Sequence, residues 1–549
     1  MKHKTILENA IKAMRERTYY AQYPEAPSGK IYGETANEDA KKRFETLSQS
    51  NFTQLLQQGA AGTVGEESSP YGVPIKVQYP TFSVDTLIQN AQNAQKSWAN
   101  TSYAQRADIL IETLEQMKSL FFDIAYATMH TTGQAFMMSF QASGPHAADR
   151  ALEAIAVGYE ELSRYPVTTV RWDKPLGKVN AVLDKRFYVV PRGIGLVIGC
   201  STFPVWNTVP GVYANLITGN PTIVKPHPKA ILPIAIWIAK MQEVFKNAGI
   251  DPHIIQLAPD STQNPITKLL AEHPAIKLID FTGSSHFGNY IENLPNKITF
   301  TEKSGVNSVI IESFADVENA LDNLAFSVSL YSGQMCTAPQ NFFIPKNGVD
   351  TNIGHLSFDE VVQKFADKVK GLAQNPKMGA GVLGAIQSED TYQRIQNTKN
   401  QGYKVILEPQ PIQNPEFPNA RTSSPLLIQV NATEYEKYAQ ELFGPIAFII
   451  QTENVEQSVE LAKKLVEDKG GLTLSVYTAK PDVKENILHS LLPVSIAIAF
   501  NLSGPTWVNQ SAGFSDFHGT GGNKAGNAAY TTPEFIVKRF TVVGVREQA

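Results

Sequence analysis

Residues 277–305 read KLIDFTGSSHFGNYIENLPNKITFTEKSG, and this stretch decides the fold. Residues 277–281 are a short apolar run of the kind that fills a buried strand. The turn after it, Gly283-Ser284-Ser285-His286-Phe287-Gly288, is small enough to leave a strand tightly and to open a helix. The N-terminal amides of such a helix can receive a pyrophosphate, although a bare Gly-x4-Gly turn also serves as an ordinary strand-to-helix connection. Glu302 follows a further strand and precedes a Gly turn, where its carboxylate either faces a cleft or lies in solvent.

Upstream, apolar runs at residues 195–198, 221–224 and 254–257 alternate with helical segments. Strand and helix in alternation predict a parallel, doubly wound α/β sheet. Before them, Leu87, Ile88, Ala91, Ala94 and Trp98, then Ile109, Leu110, Leu114, Met117 and Leu120, recur at helical spacing. Two β-rich runs, 167–172 and 185–190, interrupt the pattern. A second α/β set runs from Ser308 through Ile344 and Leu407 to Val476 and residues 496–500, without internal sequence similarity.

The first 80 residues read as an extension, with an amphipathic pattern at Ile6, Leu7, Ala10, Ile11 and Met14 and a loop-rich stretch at 59–74. At the other end, a Gly/Asn-rich loop at 519–526 precedes an alternating strand at 535–545, expected to pair with another subunit. The expected organisation is an extension (1–80), a nucleotide-binding domain (81–165 and 191–302) interrupted by an oligomerisation hairpin (166–190), a catalytic domain (303–505), and a C-terminal loop and oligomerisation strand (506–549).

Composition bounds the function. The chain has 549 residues, 42% of them hydrophobic and 18% charged, which excludes disorder over most of the length. The 48 basic against 52 acidic side chains include no dense basic stripe, so no nucleic-acid partner is expected. No apolar segment is long enough to span a bilayer and no export signal opens the sequence. Two cysteines, Cys200 and Cys336, are too few for a disulfide framework and suit a reducing cytoplasm. Ten histidines show no paired metal-ligand spacing, so no metal is expected.

Cys336 sits in Ser332-Gly333-Gln334-Met335-Cys336-Thr337-Ala338, small neighbours that would let a substrate approach the thiol. Taken alone, an intracellular cysteine is more often structural than reactive. Together with Glu302, 34 residues earlier, it resembles the general-base and nucleophile pair of the aldehyde dehydrogenase superfamily. Lys225-Pro226, residues 281–285 and Glu441-Leu442-Phe443-Gly444-Pro445 resemble three further motifs of that family, in the same order. The segments 200–204, 225–228 and 518–523 are most similar to stand-alone PaaN-type proteins of phenylacetate degradation.

The resemblance implies an aldehyde dehydrogenase-like fold of two Rossmann-like α/β domains with an oligomerisation β-hairpin, and an active site in the cleft between domains. Cys336 would attack an aldehyde, a nicotinamide cofactor would take hydride, and Glu302 would activate water to hydrolyse the thioester. Lys225, Gly283, Ser284, Gly288, Glu441 and Phe443 would hold the cofactor. Relatives preferring NAD usually carry a Glu where this chain has Pro228. With Lys225, His227 and Lys229 beside it, NADP is expected, with NAD as the alternative.

The family's oxyanion Asn usually lies about twenty-three residues before the lysine, which places Thr202 there. Asn207 stands only 18 residues before it. The expected substrate is a small-molecule aldehyde, at its sharpest a CoA-linked semialdehyde of phenylacetate catabolism, with a separate hydratase partner for any ring opening. A homodimer or homotetramer is expected. The alternatives are a CoA-acylating dehydrogenase and a catalytically impaired nucleotide-binding scaffold.

Overall fold

A computed structural model describes residues 1–549 apart from 508–513, 515–517 and 531. The expected apolar runs are the strands Ile194–Ile198, Thr222–Lys225, Ile255–Leu257 and Ile276–Gly283. With Ile298–Lys303 they form a five-stranded parallel sheet in the order Ile255–Leu257, Thr222–Lys225, Ile194–Ile198, Ile276–Gly283, Ile298–Lys303. Every residue of Ile194–Ile198 is buried, as a parallel strand covered on both faces requires. The chain moves outward from that strand in one direction, then returns to build on its other side. A crevice therefore opens between the C-terminal ends of Ile194–Ile198 and Ile276–Gly283, the switch point where such sheets bind ligands.

The second sheet has seven strands, in the order Lys404–Leu407, Leu426–Asn431, Ile446–Thr452, Asn341–Pro345, Ser308–Ile311, Thr473–Tyr477, Ala497–Phe500. Its pairs are parallel except Lys404–Leu407 with Leu426–Asn431. Helices such as Val317–Ser329 and Phe358–Ala373 bury one apolar stripe each on this sheet.

The N-terminal 80 residues are less of an extension than their sequence suggests. Helix Lys4–Glu16 buries Leu7, Ala10, Ala13 and Met14 in the main core beside helix Pro145–Ser163. Within the loop-rich stretch, Ala60–Val64 pairs antiparallel with Tyr79–Phe82. Buried Glu67 accepts hydrogen bonds from the Ile231 and Leu232 amides at the start of helix Leu232–Asn247 and from the Tyr79 hydroxyl. A carboxylate at a helix N-terminus satisfies orphan amides and the dipole together.

The two β-rich runs form a hairpin, Val170–Leu176 and Val179–Pro191. The C-terminal strand Phe540–Gln548 pairs antiparallel with this chain's own Val179–Pro191, from Phe540 opposite Pro191 to Gln548 opposite Leu183. Within the chain its partner is its own hairpin, and it forms one edge of that three-stranded sheet. Arg539 anchors the start of the strand, fully buried, with its guanidinium 2.6 and 2.8 Å from the two Asp280 oxygens and 2.6 Å from Asn215 Oδ1.

Candidate active site

The cleft at the switch point is closed from the other side by the second α/β unit. Its walls include Cys200, Thr202, Asn207 and Glu302 from the first unit and Cys336 and Glu441 from the second. Glu302 lies on Ile298–Lys303, the edge strand of the five-stranded sheet. The Gly519–Gly526 region staples that strand: the Lys303 amide donates to the Ala525 carbonyl at 2.6 Å, and the Asn527 amide donates to the Thr301 carbonyl at 3.1 Å. Gly526 is required there, because a Cβ would stand 2.5 Å from the Thr301 oxygen. The glycine-rich loop is thus a backbone clamp on the Glu302 strand.

Cys336 follows three consecutive left-handed residues, Tyr331 (φ 50°), Ser332 (φ 49°) and Gly333 (φ 61°). Two are not glycine, a conformation that costs about 1–3 kcal/mol per residue and persists only when neighbours enforce it. The Tyr331 hydroxyl donates to the Thr132 carbonyl at 2.6 Å and the Ser332 hydroxyl to Leu383 at 3.0 Å. A Cβ on Gly333 would meet the Gly444 oxygen at 2.6 Å. Beyond the thiol, the Asn307 amide group donates to the carbonyls of Cys336 (2.8 Å) and Ala338 (3.0 Å). The loop is fixed on both sides of a thiol that lines the cleft.

His518 joins the two expected groups. Its Nε2 lies 3.5 Å from Cys336 Sγ and 3.2 Å from Glu302 Oε1, and all three reactive atoms lie within 4.8 Å of one another. The edge of Trp206 packs on the imidazole at 4.5 Å, and Tyr530 stacks over it with its ring plane inclined by 10°. Burial would raise the Glu302 carboxyl, but the His518 charge and hydrogen bonds from His518, Cys336 and Tyr530 bring it below its ordinary value. Burial and then the negative charge of Glu302 push the Cys336 thiol well above its ordinary value.

Asn207 is buried beside them, its Nδ2 donating to Glu302 Oε1 at 3.3 Å and its Oδ1 accepting from the Cys200 thiol at 3.6 Å. Thr202 also lines the cleft, but its carbonyl is held by the Gln134 amide at 2.8 Å and its hydroxyl serves Cys200. The side-chain donor brought against the Glu302 carboxylate is Asn207, whereas the expected Thr202 is engaged with Gln134 and Cys200. Counting back from Lys225 misses this, because the turns between Ile194–Ile198 and helix Val209–Ile217 can absorb residues without moving their ends.

The other expected residues divide. Gly283, Ser284, His227, Glu441 and Phe443 line the same cleft as Cys336. Ser284 caps helix Ser285–Glu292 by accepting from the Phe287 amide, and Ser285 is tied to Ser304 just past Glu302. Gly288 lies a turn inside that helix, where a Cβ would meet Lys303 Cγ at 2.4 Å; its role there is packing. Pro228 shapes the turn between His227 and Lys229. Burial raises the Glu441 carboxyl to about 7, opposed by the Ser304 hydroxyl, the Arg394 charge and the Gly305 amide.

Lys225 is buried, its Nζ 2.6 Å from Asp260 Oδ1 and 2.5 Å from the Pro226 carbonyl oxygen. Burial, then the charges of Lys225 and Lys229, lower His227 to about 4, so it is neutral at pH 7. Of the three cations expected to favour a ribose phosphate, one is paired and one is uncharged. Lys229 alone stands half-exposed at the cleft, 3.9 Å from Asp390. Phe514 is buried against Tyr20, and Phe517 lies outside the described residues.

The helix-start hydroxyls of Ser284 and Ser285, the Glu441 carboxyl, the Phe443 ring and Lys229 line the cleft with Cys336, a set of groups that fits a dinucleotide. Among the described residues no helix is long and apolar enough to cross a membrane.

Residues 78–541 match the aldehyde dehydrogenase family model. The solved structure of an NAD-dependent aldehyde dehydrogenase from Burkholderia multivorans is 44% identical, with a TM-score of 0.97 over 100% of this chain and 98% of that one. The alpha-ketoglutaric semialdehyde dehydrogenase of Bacillus subtilis is 25% identical, covering 72% of this chain and 77% of the relative. The NADP-dependent D-glyceraldehyde dehydrogenase of Picrophilus torridus is 24% identical, covering 73% and 77%. With Cys336 and Glu302 converging in a cleft at the switch point of a doubly wound sheet, the chain belongs to the aldehyde dehydrogenase family.

Proposed function

We propose that this protein oxidises a CoA-linked semialdehyde to its carboxylic acid, with NAD or NADP as hydride acceptor and water as acyl acceptor. The observation that carries the reading is the convergence of the Cys336 thiol and the Glu302 carboxylate on one imidazole, with the Asn207 amide alongside. Cys336 adds to the aldehyde carbon, and the oxygen charge that develops is met by the Asn207 side chain and the Cys336 main-chain amide. The bound nicotinamide supplies a hydride-accepting carbon. Glu302, held ionised in the cleft, then takes a proton from water, and the hydroxide equivalent cleaves the Cys336 thioester. A base built against the nucleophile favours hydrolysis over transfer to free coenzyme A.

Ser284, Ser285, Glu441 and Phe443 would hold the cofactor. Its preference turns on Lys229, because Lys225 is paired with Asp260 and His227 is uncharged. We therefore assign dual specificity, with Lys229 as the group that admits the ribose phosphate. The phenylacetate substrate rests on the PaaN-like segments 200–204, 225–228 and 518–523, and any ring opening would fall to a separate hydratase.

Two free thiols in one catalytic cleft suit a reducing cytoplasm. The three-stranded sheet at the C-terminus exposes Trp172, Leu176, Val179, Tyr188, Val190 and Val543, which supports subunit docking in a homodimer or homotetramer.

The test is formation of NADH and NADPH over a panel of aliphatic, aromatic and CoA-linked aldehydes without free coenzyme A, with Cys336→Ser in parallel. Turnover lost in the variant and greatest for CoA-linked semialdehydes supports the reading. A requirement for free coenzyme A contradicts it.

A further inference from the structure

The reaction as derived leaves His518 without a task, although its Nε2 lies 3.5 Å from Cys336 Sγ and 3.2 Å from Glu302 Oε1. We infer that His518 is a positioning residue for the general base: its Nε2–H holds the Glu302 carboxylate by Oε1, so that the second oxygen takes the proton from the hydrolytic water. The inference rests on the reading of Glu302 as that base.

The hydrogen on Nε2 follows from what surrounds the ring. Nδ1 is buried and has no hydrogen-bond partner among the described residues. A hydrogen placed on Nδ1 alone would be orphaned, and the bare Nε2 would turn a lone pair to a carboxylate oxygen. With the hydrogen on Nε2 the contact is a charge-assisted hydrogen bond, made by the neutral ring and the charged ring alike. That nitrogen then offers no lone pair to Cys336 or to water, so His518 is not itself the base.

Glu302 needs such a donor. It is 6% exposed, and burial works against its ionised form, while His518 first, then hydrogen bonds from Cys336 and Tyr530, work for it. The Cys336 hydrogen is gone once the thioester has formed, in the step where the base acts. Asn207 Nδ2 donates to the same Oε1 at 3.3 Å, so two donors from distant parts of the chain pin one oxygen.

The imidazole is held in turn. The edge of Trp206 packs on it, Tyr530 stacks over it with ring centroids 6.2 Å apart, and Arg150 lies 5.0 Å from the Trp206 ring. The loop that carries His518 also clamps the Glu302 strand, the Lys303 amide donating to Ala525 and Glu302 bridging to Gly526. One loop thus fixes both the strand and, through His518, the side chain it presents. The titratable groups facing Glu302 among the described residues are His518, Cys336 and Tyr530, with Cys200 and Glu441 acting on the thiol.

The test separates acylation from hydrolysis in the full-length protein. Single-turnover NAD(P)H formation reports the first, and loss of the acyl mass from Cys336 reports the second, for wild type, His518→Asn and His518→Gln. A glutamine amide reaches as far as Nε2, whereas an asparagine amide stops at the Nδ1 position. His518→Asn should acylate within about threefold of wild type but hydrolyse about tenfold or more slowly, with its pH profile of hydrolysis moved to the alkaline side. His518→Gln should recover hydrolysis to within about threefold. Folded His518→Asn that hydrolyses within about twofold of wild type overturns the inference, as does an equal loss in acylation, or His518→Gln no faster than His518→Asn. If neither variant folds, the wild type decides: its hydrolysis should be level from about pH 6 to about pH 8, and a rise with a midpoint above about pH 7 overturns the inference. Glu302→Gln removes the base and leaves His518. If that variant sheds its acyl group at the wild-type rate, the reading of Glu302 fails whatever the His518 variants show.

Discussion

Replacing Asn207 by alanine should lower kcat by about 100-fold to 1000-fold, the cost of about 2.7–4 kcal/mol measured for one missing oxyanion donor. The side chain is 7% exposed, so water cannot readily take its place. Its Nδ2 stands 3.3 Å from Glu302 Oε1, in the cleft that the Cys336 thiol also lines. Stabilising the oxyanion and orienting Glu302 are therefore separable by measurement. If Asn207 stabilises the developing oxyanion, the pre-steady-state burst of NAD(P)H slows by the full factor. If it only orients Glu302, the burst stays fast and the steady rate falls. Thr202→Val, which removes a hydroxyl facing Cys200 and keeps the carbonyl held by Gln134, should cost less than about tenfold. The reasoning is refuted if folded Asn207→Ala keeps its burst rate within about tenfold of wild type, or if Thr202→Val loses as much as Asn207→Ala.

Lys229→Ala should lower kcat/KM for NADP about fivefold and leave that for NAD unchanged, since a half-exposed cation contributes about 1 kcal/mol; equal losses for both cofactors contradict the assignment. His130 is lowered to about 4 by burial and then by the Lys41 charge. Its folded value lies below the unfolded one of about 6.5, so the unfolded chain binds a proton the folded chain does not as pH falls through that window. Stability present above about pH 6.5 is lost on acidification, about 2 kcal/mol at pH 5 for this residue, and urea midpoints of His130→Gln should show a correspondingly shallower fall. Arg539→Met, which leaves Asp280 buried without its partner, should destabilise by about 3–5 kcal/mol in urea unfolding; a change below about 1 kcal/mol would remove the C-terminal anchor from this account.

The parts of the fold visible in sequence are those in which local pattern and burial coincide. Ile194–Ile198 and Ile276–Gly283 are continuous apolar runs because parallel strands are covered on both faces. The hairpin was visible from its β-rich runs, but its register with Phe540–Gln548 was not, because an alternating strand carries no label for which chain it pairs with. The N-terminal helix was visible as an amphipathic pattern. Its membership of the main core depends on contacts with Pro145–Ser163, far away in sequence.

At the site, the spacing of Glu302 and Cys336 singles out two residues that the fold brings to one cleft. Spacing points to Thr202 while the contact to Glu302 is made by Asn207, since turns can change length while their ends stay fixed. His518 stands 182 residues from Cys336 and 216 from Glu302, and no periodicity links them. Asp260, which pairs with Lys225, is equally hidden in the sequence, and it removes one of the three charges on which, with Pro228, the NADP expectation rests.

If water activated by Glu302 hydrolyses a Cys336 thioester, removing the Glu302 carboxylate should trap that thioester. The most direct measurement is a single-turnover reaction of Glu302→Gln with a reactive aldehyde and excess cofactor, followed by NAD(P)H absorbance and intact-protein mass. The account predicts about one equivalent of NAD(P)H per site, followed by a halt, with the acyl group on Cys336 and release by added hydroxylamine. Continued turnover at the wild-type rate, or a burst with no adduct on Cys336, would contradict it.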